Sequence, residues 1–484
     1  MLIRSRPSLL IALLILASKA IQIAIDSQVM LFTDSAMLLF GAARMFFYPE
    51  RSFVYGWFLR YCCLPTHSLD LLVYLQALMG ALAAWLLAFS LHRYLGVRWS
   101  IAGAAALLFA WDPSQILHER MVMTETSAGV VAALFLTAAL AYLDRPRLAL
   151  FLPLAFFAVG LTSLRVVYVP LIAMAAVVIP LAARNRGWRQ PLIALLVSLA
   201  AFGTGQNAFR HLTGRIGGRE PAYHYATGRF LAGNIAPLLR PEDTGDPLVA
   251  AVLTQAQSAG HPLPDFGSTN RNHQLWHEGG LILRLVALYN GNVDRAEIEA
   301  RKLAANAIRR DPIGFLKLGL YTWWEYPVAF ASGFQAVARI EQGASPTEQP
   351  WPRDWVAVTK LFPSYTLERN LLPTPARRFH SISQLWCILA FLAPFLGFIS
   401  LFATPLEYRR PAAFLFLWST ALFAATCLGG MVVLRYLHPL SFPAFAGLAI
   451  LAERMAARGH HPFGETGTPS TTSAPPTPPA PGPA

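Results

Sequence analysis

The chain has 484 residues, of which 55% are hydrophobic and 13% charged, with a mean hydropathy of +0.44. Soluble domains carry about 25% charged residues, so composition excludes an ordinary soluble protein and points to a chain dissolved largely in lipid. The net charge of +13 does not bring nucleic acid with it. No basic run occurs, and in a membrane protein excess Lys and Arg belong to cytoplasmic turns and lipid phosphates.

A membrane-crossing helix needs about 20 mostly apolar residues. Ten runs approach that: 9–25, 71–91, 101–111, 121–143, 148–161, 166–183, 191–209, 382–403, 412–428 and 431–451. Arg4, Arg6, an apolar core and Ser18-Lys19-Ala20 give the first run the look of a secretory signal. Its continuation to Ile25 and the many runs behind it favour an uncleaved span. With the N-terminus inside, the cytoplasmic turns carry Arg4/Arg6, Arg93/Arg98, Arg145/Arg147, Arg184/Arg186/Arg189, Arg409/Arg410 and Arg454/Arg458. Every one is basic, as the bias of Lys and Arg toward the cytoplasm asks. The opposite segments hold Asp34, Glu50, Asp112, Glu119 and Glu125. The expectation is an all-α polytopic protein of the inner (plasma) membrane, with about ten transmembrane helices and both termini cytoplasmic.

That topology divides the chain into a transmembrane module over 1–209, an inserted extracytoplasmic α-rich domain over 210–380, C-terminal membrane helices over 381–458 and a cytoplasmic tail over 459–484. The insertion is too long to be a connection. Within it, 294–310 reads as a helix stopped by Asp311-Pro312, because the residue before a proline is pushed out of helical geometry. The stretch 313–330 carries Tyr321, Trp323, Trp324 and Tyr326 but is interrupted by Lys317 and Glu325, so it reads as an interfacial helix. The tail, rich in Pro, Ser and Thr, has no core to fold around. The four cysteines show no metal or disulfide spacing. His273 and His277, four apart, could share a metal only if helical, and they lack the order of zinc-protease motifs.

Ionisable groups at membrane depth cost about 2.5–3.5 kcal/mol at a helix centre and are functional suspects for that reason. On the outer side these are Asp34, Asp112, His118, Glu119, Glu125, Arg165, Arg435 and His438. Each also has a plainer reading. Asp34 opens a helix and suits an N-cap, Glu119 neighbours Arg120, Glu125 sits in a first turn, and Arg165 suits snorkelling. The sharper readings make Asp34 a general base at the lipid boundary, Glu119 or Glu125 a second carboxylate facing it, and Arg165 a fork for a lipid phosphate. Arg435 and His438, three apart, share a helix face.

Four segments in this order resemble the GT-C superfamily of membrane glycosyltransferases, and within it the bacterial branch of protein O-mannosyltransferases and the lipid A aminoarabinose transferase. They are Thr33-Asp34-Ser35, Arg51-Ser52-Phe53-Val54-Tyr55-Gly56, Asp112-Pro113 through Glu119 to Met123-Thr124-Glu125, and Gly160-Leu161-Thr162-Ser163-Leu164-Arg165. Ala307 to Pro312 and Arg435-Tyr436 look similar too. Ser35 stands where many relatives carry a second acid, and the prolines of the Arg51 motif are missing. The resemblance implies an inverting glycosyltransferase that uses a polyprenyl-phosphate-linked sugar and an envelope acceptor: a glycolipid such as lipopolysaccharide, a glycan or a protein. Asp34 would be the catalytic base, and Arg51, Tyr55, Glu119, Glu125, Arg165 and Arg435 would bind substrate. No cofactor is demanded, a divalent cation is left open, and so is its site. The rival expectation is a polytopic transporter or flippase of lipid-linked substrates. That reading wants charges along a central path, whereas these collect at one face, and the lopsided insertion does not suit repeated halves.

Overall fold

In a computed structural model every regular element of the described residues is a helix; those residues are 6–31, 33–45, 48, 51–183, 187–257, 263–341, 359–363, 374–375, 378–379 and 384–458. The expected cytoplasmic tail, Glu50, Arg4, Arg184 and Arg186 lie outside them. The membrane part begins with α1 (Arg6–Ile25), α2 (Thr33–Arg44), α3 (Phe53–Cys62), α4 (Asp70–Leu95), α5 (Trp99–Ala110) and α6 (Pro113–Arg120). It continues with α7 (Glu125–Asp144), α8 (Phe151–Leu164), α9 (Tyr168–Ala182) and α10 (Arg189–Gly217). The insertion contributes α11 (Thr227–Asn234), α12 (Pro247–Gln257), α13 (Ser268–Trp276), α14 (Leu281–Leu288), α15 (Val293–Arg310) and α16 (Pro312–Glu341). The chain returns through α17 (Gln384–Phe391), α18 (Ala393–Ala403), α19 (Arg409–Gly429), a 3-10 segment (Leu434–Leu440) and α20 (Ser441–Arg458).

All ten apolar runs are helical over most of their length. Among the described residues, six helices are long and apolar enough to cross a membrane: α1, α4, α7, α10, α19 and the last, over Arg435–Ala457. The bundle is apolar on its outer face as well as in its core, and buries a set of polar groups besides. Helix α1 buries Ser8, Ser18, Lys19 and Gln22 while Leu9, Leu13 and Leu16 face outward. Leu152 and Phe156 on α8, Leu196 on α10 and Phe402 on α18 are exposed too, an arrangement stable only in an apolar solvent. Inside, α4 packs against α7, where Ser90 and Thr137 share a hydrogen bond (3.0 Å) and Ser127 donates to Met79 Sδ (3.8 Å), and both helices bury small residues, among them Ala77, Ala81, Ala84 and Ala88 on α4 and Ala128, Ala132 and Ala139 on α7. Such small residues at helical spacing let membrane helices approach closely.

The bundle has two polar ends. Arg93–Asp144 (2.8 Å) and Arg98–Glu453 (2.8 Å) tie the ends of α4, α7 and α20 to the start of α5. Asp144 and Glu125 are the two termini of α7, about 30 Å apart at 1.5 Å per residue.

The insertion has its own core, built from Ala232, Leu253, Leu285, Ala300 and Leu303 among others. Helix α15 matches the expected 294–310 closely, with Asn292 accepting from the Arg295 N–H as N-cap. Two expectations change. Helix α10 runs to Gly217 rather than stopping at 209, so the insertion grows from a continuous rod. Helix α16 does not lie across the bundle's outer surface. Its Gly319 meets Leu428 and its Tyr326 faces Phe423, so it follows α19 lengthwise in the opposite direction. Trp323 stacks on Phe391 of α17 (5.9 Å); of the four aromatics expected at an interface, Trp323 and Tyr326 fill helix–helix seams, while Tyr321 and Trp324 stay exposed.

Candidate active site

Five separate pieces of chain deliver charges to one spot. The loop after α1 is held by Arg120, whose Nε donates to the Asp26 carbonyl (2.8 Å) and whose Nη2 donates to that of Gln22 (3.2 Å), the last acceptors of α1. Met30 then pairs in parallel with Met121, with Met30 N–H donating to the Arg120 carbonyl (2.8 Å) and Val122 N–H to that of Met30 (3.3 Å). Buried Ser35 donates to the Val122 carbonyl (3.0 Å). A second acid there would be a buried charge against a carbonyl, so serine is what this backbone accepts. Together these contacts fix the first turn of α2, and with it Asp34.

Asp34 Oδ1 accepts from Arg51 Nη2, and its Oδ2 lies 3.2 Å from Arg435 Nη2. Arg435 Nε lies 3.8 Å from Glu125 Oε1, which also accepts from Arg165 Nη1 (2.8 Å). The result is one chain, Arg51–Asp34–Arg435–Glu125–Arg165. The Tyr436 ring lies 4.9 Å from the Arg165 guanidinium and 5.7 Å from that of Arg435, a cation–π contact to both. Three guanidiniums face two carboxylates, so the cluster is cationic and suited to an added anion. Exposure separates the two acids: the Asp34 side chain is 16% exposed and that of Glu125 only 2%. Only Asp34 is within reach of an incoming group.

Glu119 and Tyr55 stand apart from this chain. Glu119 is fully buried and takes Lys19 Nζ on both oxygens (2.7 and 3.0 Å). Its neighbour Arg120 points elsewhere, as adjacent residues on a helix do. Tyr55, 1% exposed, donates to Gln76 Oε1 (3.2 Å), and Gln76 Nε2 donates to the carbonyls of Glu119 (3.1 Å) and Met121 (2.9 Å). Burial pushes the Tyr55 phenol well up, so it stays a donor. Both residues brace the loop rather than face a substrate.

Asp112 is the N-cap of α6, accepting from Ser114 N–H (2.8 Å) with Pro113 at the first position. It is buried, not solvated, and burial raises its carboxyl to about 6 against hydrogen bonds from Ser441, Ser114 and Gln115. His118 donates through Nδ1 to the Ser114 carbonyl (2.6 Å), and burial lowers its pKa, keeping the imidazole neutral. Sequence reasoning passed over Gln115, which has no charge to flag it, and His224. The latter lies beside Arg51 on the α10–α11 connection; burial pushes it down to about 4, against a bond to the Thr162 carbonyl, with Arg51 adding to the fall. His273 and His277 stack on each other (4.2 Å), and no trio of metal-binding side chains assembles among the described residues.

No family model, curated protein or solved structure matches the chain.

Proposed function

We propose that this protein is an integral-membrane glycosyltransferase of the GT-C kind, crossing the inner membrane about ten times with both termini cytoplasmic. In this reading it transfers a sugar from a polyprenyl-phosphate donor to an envelope glycolipid, glycan or protein outside. The observation that carries the reading is the ion-pair chain: five residues far apart in sequence converge on one cationic spot with one reachable carboxylate. A lipid phosphate is the anion such a cluster can take at the end of a membrane bundle. An acceptor hydroxyl oxygen bonds to the anomeric carbon as the bond from that carbon to the phosphate oxygen breaks, with inversion. The hydroxyl proton passes to Asp34, and the electron pair leaves with the phosphate, whose charge Arg51, Arg165 and Arg435 stabilise. Both oxygens of Asp34 are engaged by guanidiniums, so the donor phosphate also serves to draw those cations away and free the base.

The test is transfer from a synthetic polyprenyl-phosphate sugar to envelope extract, comparing the native protein with Asp34→Asn. The Asn variant is expected to insert normally and to lose at least about a hundredfold in rate. Full activity at equal protein level would remove Asp34 from the mechanism.

A further inference from the structure

The buried polar groups that the reaction does not use form a second chain, leading away from the site. Lys19 Nζ donates to Glu119, to the Ala110 carbonyl (2.8 Å) and to Gln22 Oε1 (3.1 Å). Gln115 Nε2 donates to Glu119 Oε1 (2.8 Å). With its amide nitrogen committed there, Gln115 presents Oε1 to His438 Nε2 (2.7 Å), so the imidazole carries its proton on Nε2 and donates. The His118 ring lies against that of His438, centroids 4.4 Å apart, and closes off its face. Every side chain in this line is at most 4% exposed.

His438 belongs to the 3-10 segment Leu434–Leu440, and Arg435 is three residues before it. In a 3-10 helix residues three apart eclipse each other, so the direction of His438 sets that of Arg435. Arg435 in turn links Asp34 to Glu125. We propose that Lys19, Glu119, Gln115 and His438 form a positioning relay that sets the rotation of this segment and holds Arg435 between the two carboxylates. Glu119 then acts on the donor phosphate through three intermediaries, without touching it. The proposal rests on the phosphate-binding reading of Arg435.

The experiment measures binding of undecaprenyl phosphate to the full-length protein in nanodiscs by tryptophan fluorescence, alongside thermal unfolding. Four proteins are compared: native, Arg435→Ala, His438→Leu and His438→Gln. A Gln side chain at 438 can still donate to Gln115 Oε1. The relay predicts affinity about tenfold weaker for His438→Leu, the equivalent of one misplaced charged contact, and within about twofold of native for His438→Gln. Native-like affinity in a folded His438→Leu, beside a clear loss in Arg435→Ala, overturns the relay alone. A His438→Leu that only melts earlier, with unchanged affinity, does the same and leaves a merely structural role. Absence of binding by the native protein, or equal binding by Arg435→Ala, removes the phosphate reading itself.

Discussion

Asp34 and Glu125 share Arg435 yet sit in different surroundings. Glu125 is buried between two guanidiniums, whereas Asp34, at the edge, is the carboxylate that stays partly exposed. In the proposed reading, Arg165→Ala removes a contact to the donor and also leaves Glu125 more weakly paired. The expected outcome is a raised apparent KM for the polyprenyl-phosphate donor in a correctly inserted protein, and an unchanged donor dependence would end the phosphate role of Arg165. His224 supports a prediction in pH. Its folded pKa of about 4 lies below the free value of 6.5, so between those values the unfolded chain binds more protons. The stability it contributes is complete above pH 6.5 and falls as the pH drops toward 4. Melting curves of native and His224→Asn proteins between pH 7 and 5 should show the shallower decline in the variant; parallel curves would mean the imidazole is not held neutral. At this scale the sequence marks Asp34, Glu125, Arg165 and Arg435 because charge in apolar surroundings is conspicuous. Lys19 has the same signature, but in the sequence it stands out only as part of Ser18-Lys19-Ala20, which gives the first span the look of a secretory signal. The partner that buries it, Glu119, is 100 residues away, and no local pattern announces such a pairing.

Among elements, helix α6 is where local signals and tertiary demands meet. Asp112-Pro113 starts it, and the Met30–Met121 pairing stops it by pulling the chain into an extended conformation. That is why the fourth apolar run, expected from 121, becomes helical only at Glu125. Apolar length reveals spans, since lipid demands it, but it does not reveal which helix lies on which; so α16 was legible as amphipathic and its seam with α19 was not. The contact of α4 with α6 depends on Gly80, where a Cβ would fall 1.8 Å from Glu119 Oε1 and 2.8 Å from Gln115 Nε2. Gly80→Ala must push the carboxylate off Lys19 and leave charges buried without partners, at a cost of about 3–5 kcal/mol. Gly203 on α10 has nothing within 4 Å, so Gly203→Ala is the control and should gain slightly in stability from its better helix propensity. Thermal unfolding in one detergent compares the three proteins. Equal melting of Gly80→Ala and native would show that α6 can move aside, and that the Lys19–Glu119 pair is not what seats it.

For the whole molecule, the side on which the proposed reaction takes place turns on the two polar ends of the bundle. One end is tied by Arg93–Asp144 and Arg98–Glu453, and the other holds Asp34 and Glu125. In the proposed reading, the bias of Arg toward the cytoplasm puts the first end inward and the insertion, with Asp34, outside, where a lipid-linked sugar would need no nucleotide. A flippase would carry its polar groups along a path from one end to the other, whereas among the described residues the ion pairs of the bundle lie toward its two ends. Orientation is measurable with single cysteines in a chain whose four native cysteines are replaced. Ala251→Cys lies exposed on α12 of the insertion, and Arg147→Cys lies exposed just beyond α7 at the Arg93–Asp144 end. A membrane-impermeant maleimide added to intact cells should label Ala251→Cys and reach Arg147→Cys only after the membrane is opened. The reverse pattern would put Asp34 in the cytoplasm, within reach of nucleotide sugars, and the lipid-linked donor would lose its physical rationale.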